Sequence, residues 1–471
     1  RSNTRFSPEK YDDEFDQMSV TLSGSINDNL DVILTSSIFE RDTAYTYDYA
    51  SYVEYYAYAA YPSYVCDYYD YYYSGNVSNC RDPRMTYAQT NDIERTATEF
   101  RIQSNNDSGF NWILGAFKET NEKVTDVDYL QPGSTNPIFW EADLVRKGDI
   151  DAIFGEAYFD LSEKTSLTMG LRKYDQTMDL KASDGYYGSY AFGINSLDFN
   201  SSETGSIPKL SISHDISDDI MVYGSYSEGF RPSGVNRPRP SQAGLIPETY
   251  DPDYLDSYEI GVKSSLKDGR LILNGALYKM DWTDYQTSTY DTDITSVAYT
   301  ENVGNAEING MELNLMYAIS DTADMTLYVN KMDPTLSEDY YYTSGELGAD
   351  AGNRLAYMPE LTYYLSFDKD FVFMGKPAYM NIDYSHTGER YTTYENGGIL
   401  LPSYSMSNLR AGIDNDNSSI ELYVTNLFDK DAYLSRYDDF ESVGSSGYSG
   451  FGIRRTGSKP RVIGIRIRYR Y

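Results

Sequence analysis

Across 471 residues there are only two cysteines, two histidines and three tryptophans. Cys66 and Cys80 stand fourteen positions apart with no histidine nearby, which sets aside a Cys/His zinc site. His214 and His386 fall on different strand-like segments, so paired imidazole ligation of haem or metal is set aside as well. No run of about 18 apolar residues occurs, which excludes a spanning helix; a membrane barrel passes this test, because each strand needs only about 10 alternating residues. Positive charge is scarce too. Lys and Arg number 39 against 72 Asp and Glu, a formal charge of −33 that removes nucleic acid as a partner. No nucleophile elbow stands in a strand-to-helix context, so no catalytic residue is expected. Gly229-Phe-Arg-Pro-Ser-Gly234 is too proline-bound and strand-flanked to cradle phosphate at a helix start. No cofactor is expected. Residues Arg1 to Phe6 lack the basic start and apolar middle of a signal peptide, so a mature or truncated chain is expected.

What the chain has in excess is tyrosine, 50 residues against 18 Phe. Tyr suits membrane interfaces, where the ring enters the apolar edge and the hydroxyl reaches water. Girdles do not account for Tyr45 to Tyr73, where fourteen of twenty-nine positions are Tyr. That stretch reads as part of a long extracellular loop over 42–92, with a rigid aromatic contact surface. In an oxidising compartment Cys66 and Cys80, both inside it, would form a disulfide that stabilises the loop by roughly 3 kcal/mol. Acid-rich segments between strands read as exposed, solvated loops.

Alternation carries the fold. In the closing segment Ile463, Ile465, Ile467, Tyr469 and Tyr471 share one face, and Gly464, Arg466, Arg468 and Arg470 the other. Met311, Leu313 and Leu315 likewise oppose Glu312 and Asn314, and Ile420, Leu422 and Val424 oppose Glu421, Tyr423 and Thr425. Carboxylates such as Glu312 and Glu421 are costly against lipid and must face a wet lumen. A soluble sandwich with one solvated face is the competing reading.

Two unequal kinds of connection decide between them. Tight polar turns fall at 27–29, 105–109, 162–164, 217–219, 267–270, 320–324 and 415–417. Long connections fall near 42–92, 122–149, 178–202, 231–253, 284–295, 335–355, 389–402 and 428–458. Short turns on one side and long loops on the other are the signature of an outer-membrane barrel. The predicted class is all-β, a transmembrane antiparallel β-barrel occupying 1–471 with about 17 strands. Bacterial single-chain barrels carry an even number. An odd count leads to the expectation of further strands before the first, five of them completing a 22-stranded, plugged barrel.

Tyr223-Gly-Ser-Tyr-Ser-Glu-Gly-Phe-Arg-Pro-Ser-Gly-Val-Asn-Arg-Pro238 resembles the strand and loop start of TonB-dependent outer-membrane receptors. Other segments agree in the same order: Glu99 to Ser104 with Trp112 to Phe117, Phe154 to Tyr158 with Gly170 to Arg172, Ser257 to Lys263, Asn302 to Glu307 with Gly310 to Glu312, and Val424 to Lys430. The resemblance implies an outer-membrane importer of a scarce small-molecule ligand, a ferric siderophore first and a glycan or other nutrient next. It also implies energy from the inner-membrane TonB complex and a plug within the lumen, neither plug nor TonB box being legible in these residues. A passive porin and a surface adhesion or structural barrel are the alternatives. Arg231, Asn236, Arg237 and Arg239 are the candidate ligand contacts, because guanidinium groups near the barrel mouth suit anionic ligands. Arg466, Arg468 and Arg470 are candidate lumen residues that face the plug.

Overall fold

A computed structural model of the chain describes residues 7–49, 85–130, 138–186, 194–236, 244–289, 298–394, 397–415, 417–437 and 454–469. Cys66, Cys80, Arg237, Arg239, Arg470 and Tyr471 lie outside the described residues.

The described residues build one antiparallel sheet of seventeen strands, each hydrogen-bonded to its neighbours in the chain. Seven long strands come first: β1 (Lys10–Asn27), β2 (Leu30–Asp48), β3 (Thr86–Ser104), β4 (Phe110–Leu130), β5 (Ile138–Ser162), β6 (Thr165–Tyr186) and β7 (Ile194–Ser217). Ten shorter ones follow: β8 (Ile220–Arg231), β9 (Asp253–Leu266), β10 (Leu271–Thr283), β11 (Ala306–Ser320), β12 (Ala323–Leu336), β13 (Leu361–Phe373), β14 (Lys376–Thr387), β15 (Tyr404–Asn415), β16 (Ser418–Thr425) and β17 (Val462–Tyr469). Among the described residues β1 pairs only with β2, and β17 only with β16.

The turns expected at the short connections are present, together with one more at Met374-Gly375 between β13 and β14. That hairpin needs left-handed backbone at both residues, with φ of 51° and 77°, and glycine supplies one of them without strain.

One face of the sheet is a greasy belt. Leu114, Ile153, Leu171, Ile260, Leu277, Ile420, Ile463, Ile465 and Ile467 all expose large side chains on it. Their alternate neighbours, including Glu259, Glu312, Glu421 and Arg466, share the opposite, inner face, as the alternation requires. Along that inner face tyrosines lie flat over glycines of the neighbouring strand: Tyr223 over Gly261, Tyr278 over Gly310, Tyr379 over Gly412 and Tyr423 over Gly464. The hydroxyl of Tyr223 donates to Glu259 at 2.5 Å, and that of Tyr379 to Glu421 at 2.7 Å. Glycine here leaves room for a ring, and the ring replaces the contacts that a missing side chain would have made.

The seven long strands change the expected loop map. They run 18 to 25 residues, about twice what a membrane crossing needs, so much of 122–149 and 178–202 is paired strand rather than loop. β2 likewise runs on to Asp48 and β3 begins at Thr86. Above the lipid neither face has to be apolar, so the alternation that marks a strand in the belt gives way to alternation of one polar kind with another.

Candidate functional site

The long connections lie at one end of the sheet, which makes that end the mouth, and in the second half of the chain they fold into a cross-braced crown. Asp253, 1% exposed, is its hub. It accepts from Arg231 Nε at 3.0 Å, from Arg231 Nη2, from Trp282 Nε1 at 3.0 Å and from the backbone N–H of Gln286 at 3.0 Å. Arg231 also donates to the Gln286 carbonyl at 2.7 Å, and its guanidinium carbon lies 5.0 Å from the Trp282 ring centroid. Three chain segments, at 231, 253 and 282–286, are thereby locked together by a charge-assisted cluster around a buried carboxylate.

Asn236 braces the next pair of segments. Its amide donates to the carbonyls of Pro247 and Thr300 at 3.0 and 2.8 Å and accepts from the Thr300 N–H at 2.8 Å. Beneath these braces Val303, Ala306, Ile308, Leu336, Tyr340, Ala349, Leu355 and Tyr394 form a small core of their own. Tyr340 donates to Glu301, and Thr343 does so at 2.9 Å. Burial, followed by the Glu301 hydrogen bond, pushes the Tyr340 phenol well above its ordinary range. Arg354 reaches Glu360 at 3.1 Å and Glu389 at 3.4 Å, and Arg390 donates to the carbonyls of Tyr433 and Leu434.

Of the four ligand candidates, then, Arg231 and Asn236 have their polar groups occupied by the protein's own loops. Of the lumen candidates, Arg466 pairs with Glu421 at 2.8 Å and lies over the Tyr423 ring, while Arg468 shares its face opposite Ser419.

Next to the crown, β1 to β7 rise as a wall whose two faces differ in charge. On the outward face, continuous with the belt, like charges sit directly opposite one another: Glu14 and Asp42, Asp42 and Asp92, Asp126 and Asp143, Asp128 and Glu141. Partial burial, then Glu141 and Asp126, pushes the carboxyls of Asp128 and Asp143 upward. A carboxyl whose folded value is raised binds more protons folded than unfolded, so this penalty weighs above the raised value and fades as pH falls through it toward the ordinary range. Asp128→Asn is therefore expected to melt higher than wild type near neutral pH, with the gap in thermal midpoint closing on acidification.

The inward face of the same wall is different. Asn91 links Thr43 and Thr125 at 2.9 and 3.0 Å, Arg41 holds Asp13 in a two-pronged pair, and Arg95 holds Glu119. Lys123 and Arg146 face each other across β4 and β5. Above them Tyr45, Tyr47, Tyr87, Tyr129 and Trp140 make a continuous aromatic strip, with centroids 5.1 to 6.3 Å apart. That Leu180, Ala182 and Leu197 of the inward face bury Val235 from the loop after β8 shows that this face looks over the mouth. The sequence offers Tyr45 and Tyr47 as part of an aromatic surface but does not show the rest of this face, because 42–92, 122–149 and 178–202 read as loop. The β-branched run Val124-Thr125, Val127 beside Tyr129 was the available signal for a strand.

The fold recurs in known proteins. The crystal structure of the ferric yersiniabactin uptake receptor FyuA from Yersinia pestis superposes with a TM-score of 0.72 at 16% identity, covering 96% of this chain and 61% of that one. The metal-pseudopaline receptor CntO of Pseudomonas aeruginosa is 23% identical over 336 residues, 69% of this chain and 44% of the relative. The ferric-pyoverdine 358 receptor of Pseudomonas putida is 23% identical over 389 residues, 77% of this chain and 41% of the relative. The chain thus spans less than half the length of these two curated relatives. The family model described as TonB dependent receptor-like, beta-barrel matches residues 1–427, and the chain belongs to that family of bacterial outer-membrane receptors.

Proposed function

We propose that this barrel imports a scarce metal chelate, a ferric siderophore first, across the outer membrane with energy delivered by the TonB complex. The observation that carries the reading is that a braced crown and a tall wall, with an aromatic strip and the Lys123–Arg146 pair on its inward face, stand at one mouth, an arrangement suited to holding a ligand rather than passing solutes freely. The relatives named for metal-pseudopaline and ferric-pyoverdine support a metal chelate over a glycan. Tight capture needs work for release, and the outer membrane has no nucleotide supply, so a partner must deliver it. A passive porin finds no support in the family match. Uptake of radiolabelled ferric chelate by cells carrying the receptor is expected to fall to background when tonB is deleted, while surface binding persists. Uptake that survives the deletion would return the barrel to the passive class, and binding without any uptake in energised cells would make it an adhesin.

Arg466 and Arg468, lining the inner face, are proposed to meet whatever fills the lumen, as is Arg470. Replacing all three with Gln is expected to loosen that element, read as its increased release or proteolysis; unchanged retention removes the role.

A further inference from the structure

Arg231, Arg354 and Arg390 at the crown are engaged by Asp253, by Glu360 and Glu389, and by backbone carbonyls. Lys123 and Arg146 are not. No carboxylate among the described residues pairs with either, although each belongs to a strand rich in acid. Strand geometry explains this: Glu122, Asp126, Asp143 and Asp149 occupy alternate positions and point outward, and Glu122 is held there by Lys147 at 3.0 Å. On the inward side Lys123 and Arg146 are flanked by Ile93 and Leu180, their partners on the adjoining strands.

Two cations directly opposite each other in a sheet lie about 5 Å apart and repel. Burial and then Arg146 hold the Lys123 ammonium below its ordinary range, the signature of a charge that lacks a counter-ion. The pair stands about 45 Å along β4 from Phe110, beyond the roughly 25 Å apolar band, on the side that faces the mouth. Tyr45, at the level of Val127, begins the aromatic strip about 14 Å further up the wall.

We infer that Lys123 and Arg146 form the anion-recognition point of the mouth, with the Tyr45, Tyr47, Tyr87, Tyr129 and Trp140 strip receiving aryl rings above it. The ligand class is an aromatic anion, such as a metal chelate built from catecholate or aryl carboxylate groups. This rests on the import reading only for its biological purpose; the recognition itself is an equilibrium property of the wall.

The test is binding to outer-membrane vesicles carrying the whole receptor, with the ferric tris-catecholate complex as probe and ferric desferrioxamine B, which has no aryl group, as comparison. Wild type is expected to bind the catecholate saturably and more weakly as salt rises. The Lys123→Gln/Arg146→Gln double variant is expected to lose about tenfold or more in affinity, and Tyr129→Ala several-fold. Both variants change exposed or half-exposed side chains, and unaltered heat-modifiable migration reports an intact barrel. No saturable catecholate binding by wild type, equal preference for the desferrioxamine complex, or unchanged affinity in the double variant each overturns the inference. Vesicles carry no energised inner membrane, so failure here leaves TonB-dependent uptake to be judged by its own experiment, and failure there leaves this binding intact.

Discussion

Asp253→Ala is expected to destabilise the crown by about 3 kcal/mol, the lower end of the range for breaking a buried ion pair, because its partner Arg231 is about half exposed. The substitution removes the acceptor for Arg231, Trp282 Nε1 and the Gln286 N–H together, and two of those donors are left with little access to water. Limited proteolysis should show early cuts in the connections 232–252 and 284–305 while the strands of the belt stay resistant. Asp253→Asn, which keeps an acceptor oxygen, should fall between the two. If Asp253→Ala cleaves no faster than wild type, the hub is not what holds these loops.

The second large effect concerns the inner face. A Cβ added at Gly412 would meet the Tyr379 ring at 2.7 Å, and one at Gly261 would meet the Tyr223 ring at 2.6 Å. Either ring can move aside only by giving up its hydrogen bond to Glu421 or Glu259. Overpacking of this kind costs about 1–3 kcal/mol per site, and well-separated sites add. Gly261→Val/Gly310→Val/Gly412→Val is therefore expected to cost several kcal/mol and to strip most folded receptor from the outer membrane, read as loss of the heat-modifiable form. Adding Tyr223→Ala, Tyr278→Ala and Tyr379→Ala should restore part of it. A triple valine variant that assembles normally would show the rings to be free passengers.

The belt was legible because lipid imposes a strict rule on every second side chain. Ile463, Ile465 and Ile467 outward with Arg466 and Arg468 inward, and Glu312 and Glu421 on the wet side, follow from that rule alone. Seven of the eight tight turns were legible from short polar stretches, six of them with Asn, Asp or Gly and one as Ser162-Glu-Lys164; the eighth, Met374-Gly375, has only its glycine to announce it. The height of β3 to β7 left only the β-branched residues of Lys123-Val-Thr-Asp-Val-Asp128 as a signal, since base and acid alternate there without an apolar face. Arg231 ends β8 at the side of the long connections, but one sequence cannot reveal that Asp253, twenty-two residues on, takes its charge. Lys123 and Arg146 stand out only when paired strands bring together two side chains of the same sign.

The wall of β1 to β7 carries acid on its outward face and, on its inward one, Lys123 opposite Arg146, with which no carboxylate among the described residues pairs. Across a single layer of backbone, stacked carboxylates of like charge give way to this pair of cations, over a distance comparable to the roughly 8 Å screening length of physiological salt. An anion drifting along the cell surface is turned away from the flanks and feels attraction only after clearing the rim. Approach from above is thereby favoured over approach from the side, and raising ionic strength should slow capture more than it speeds escape.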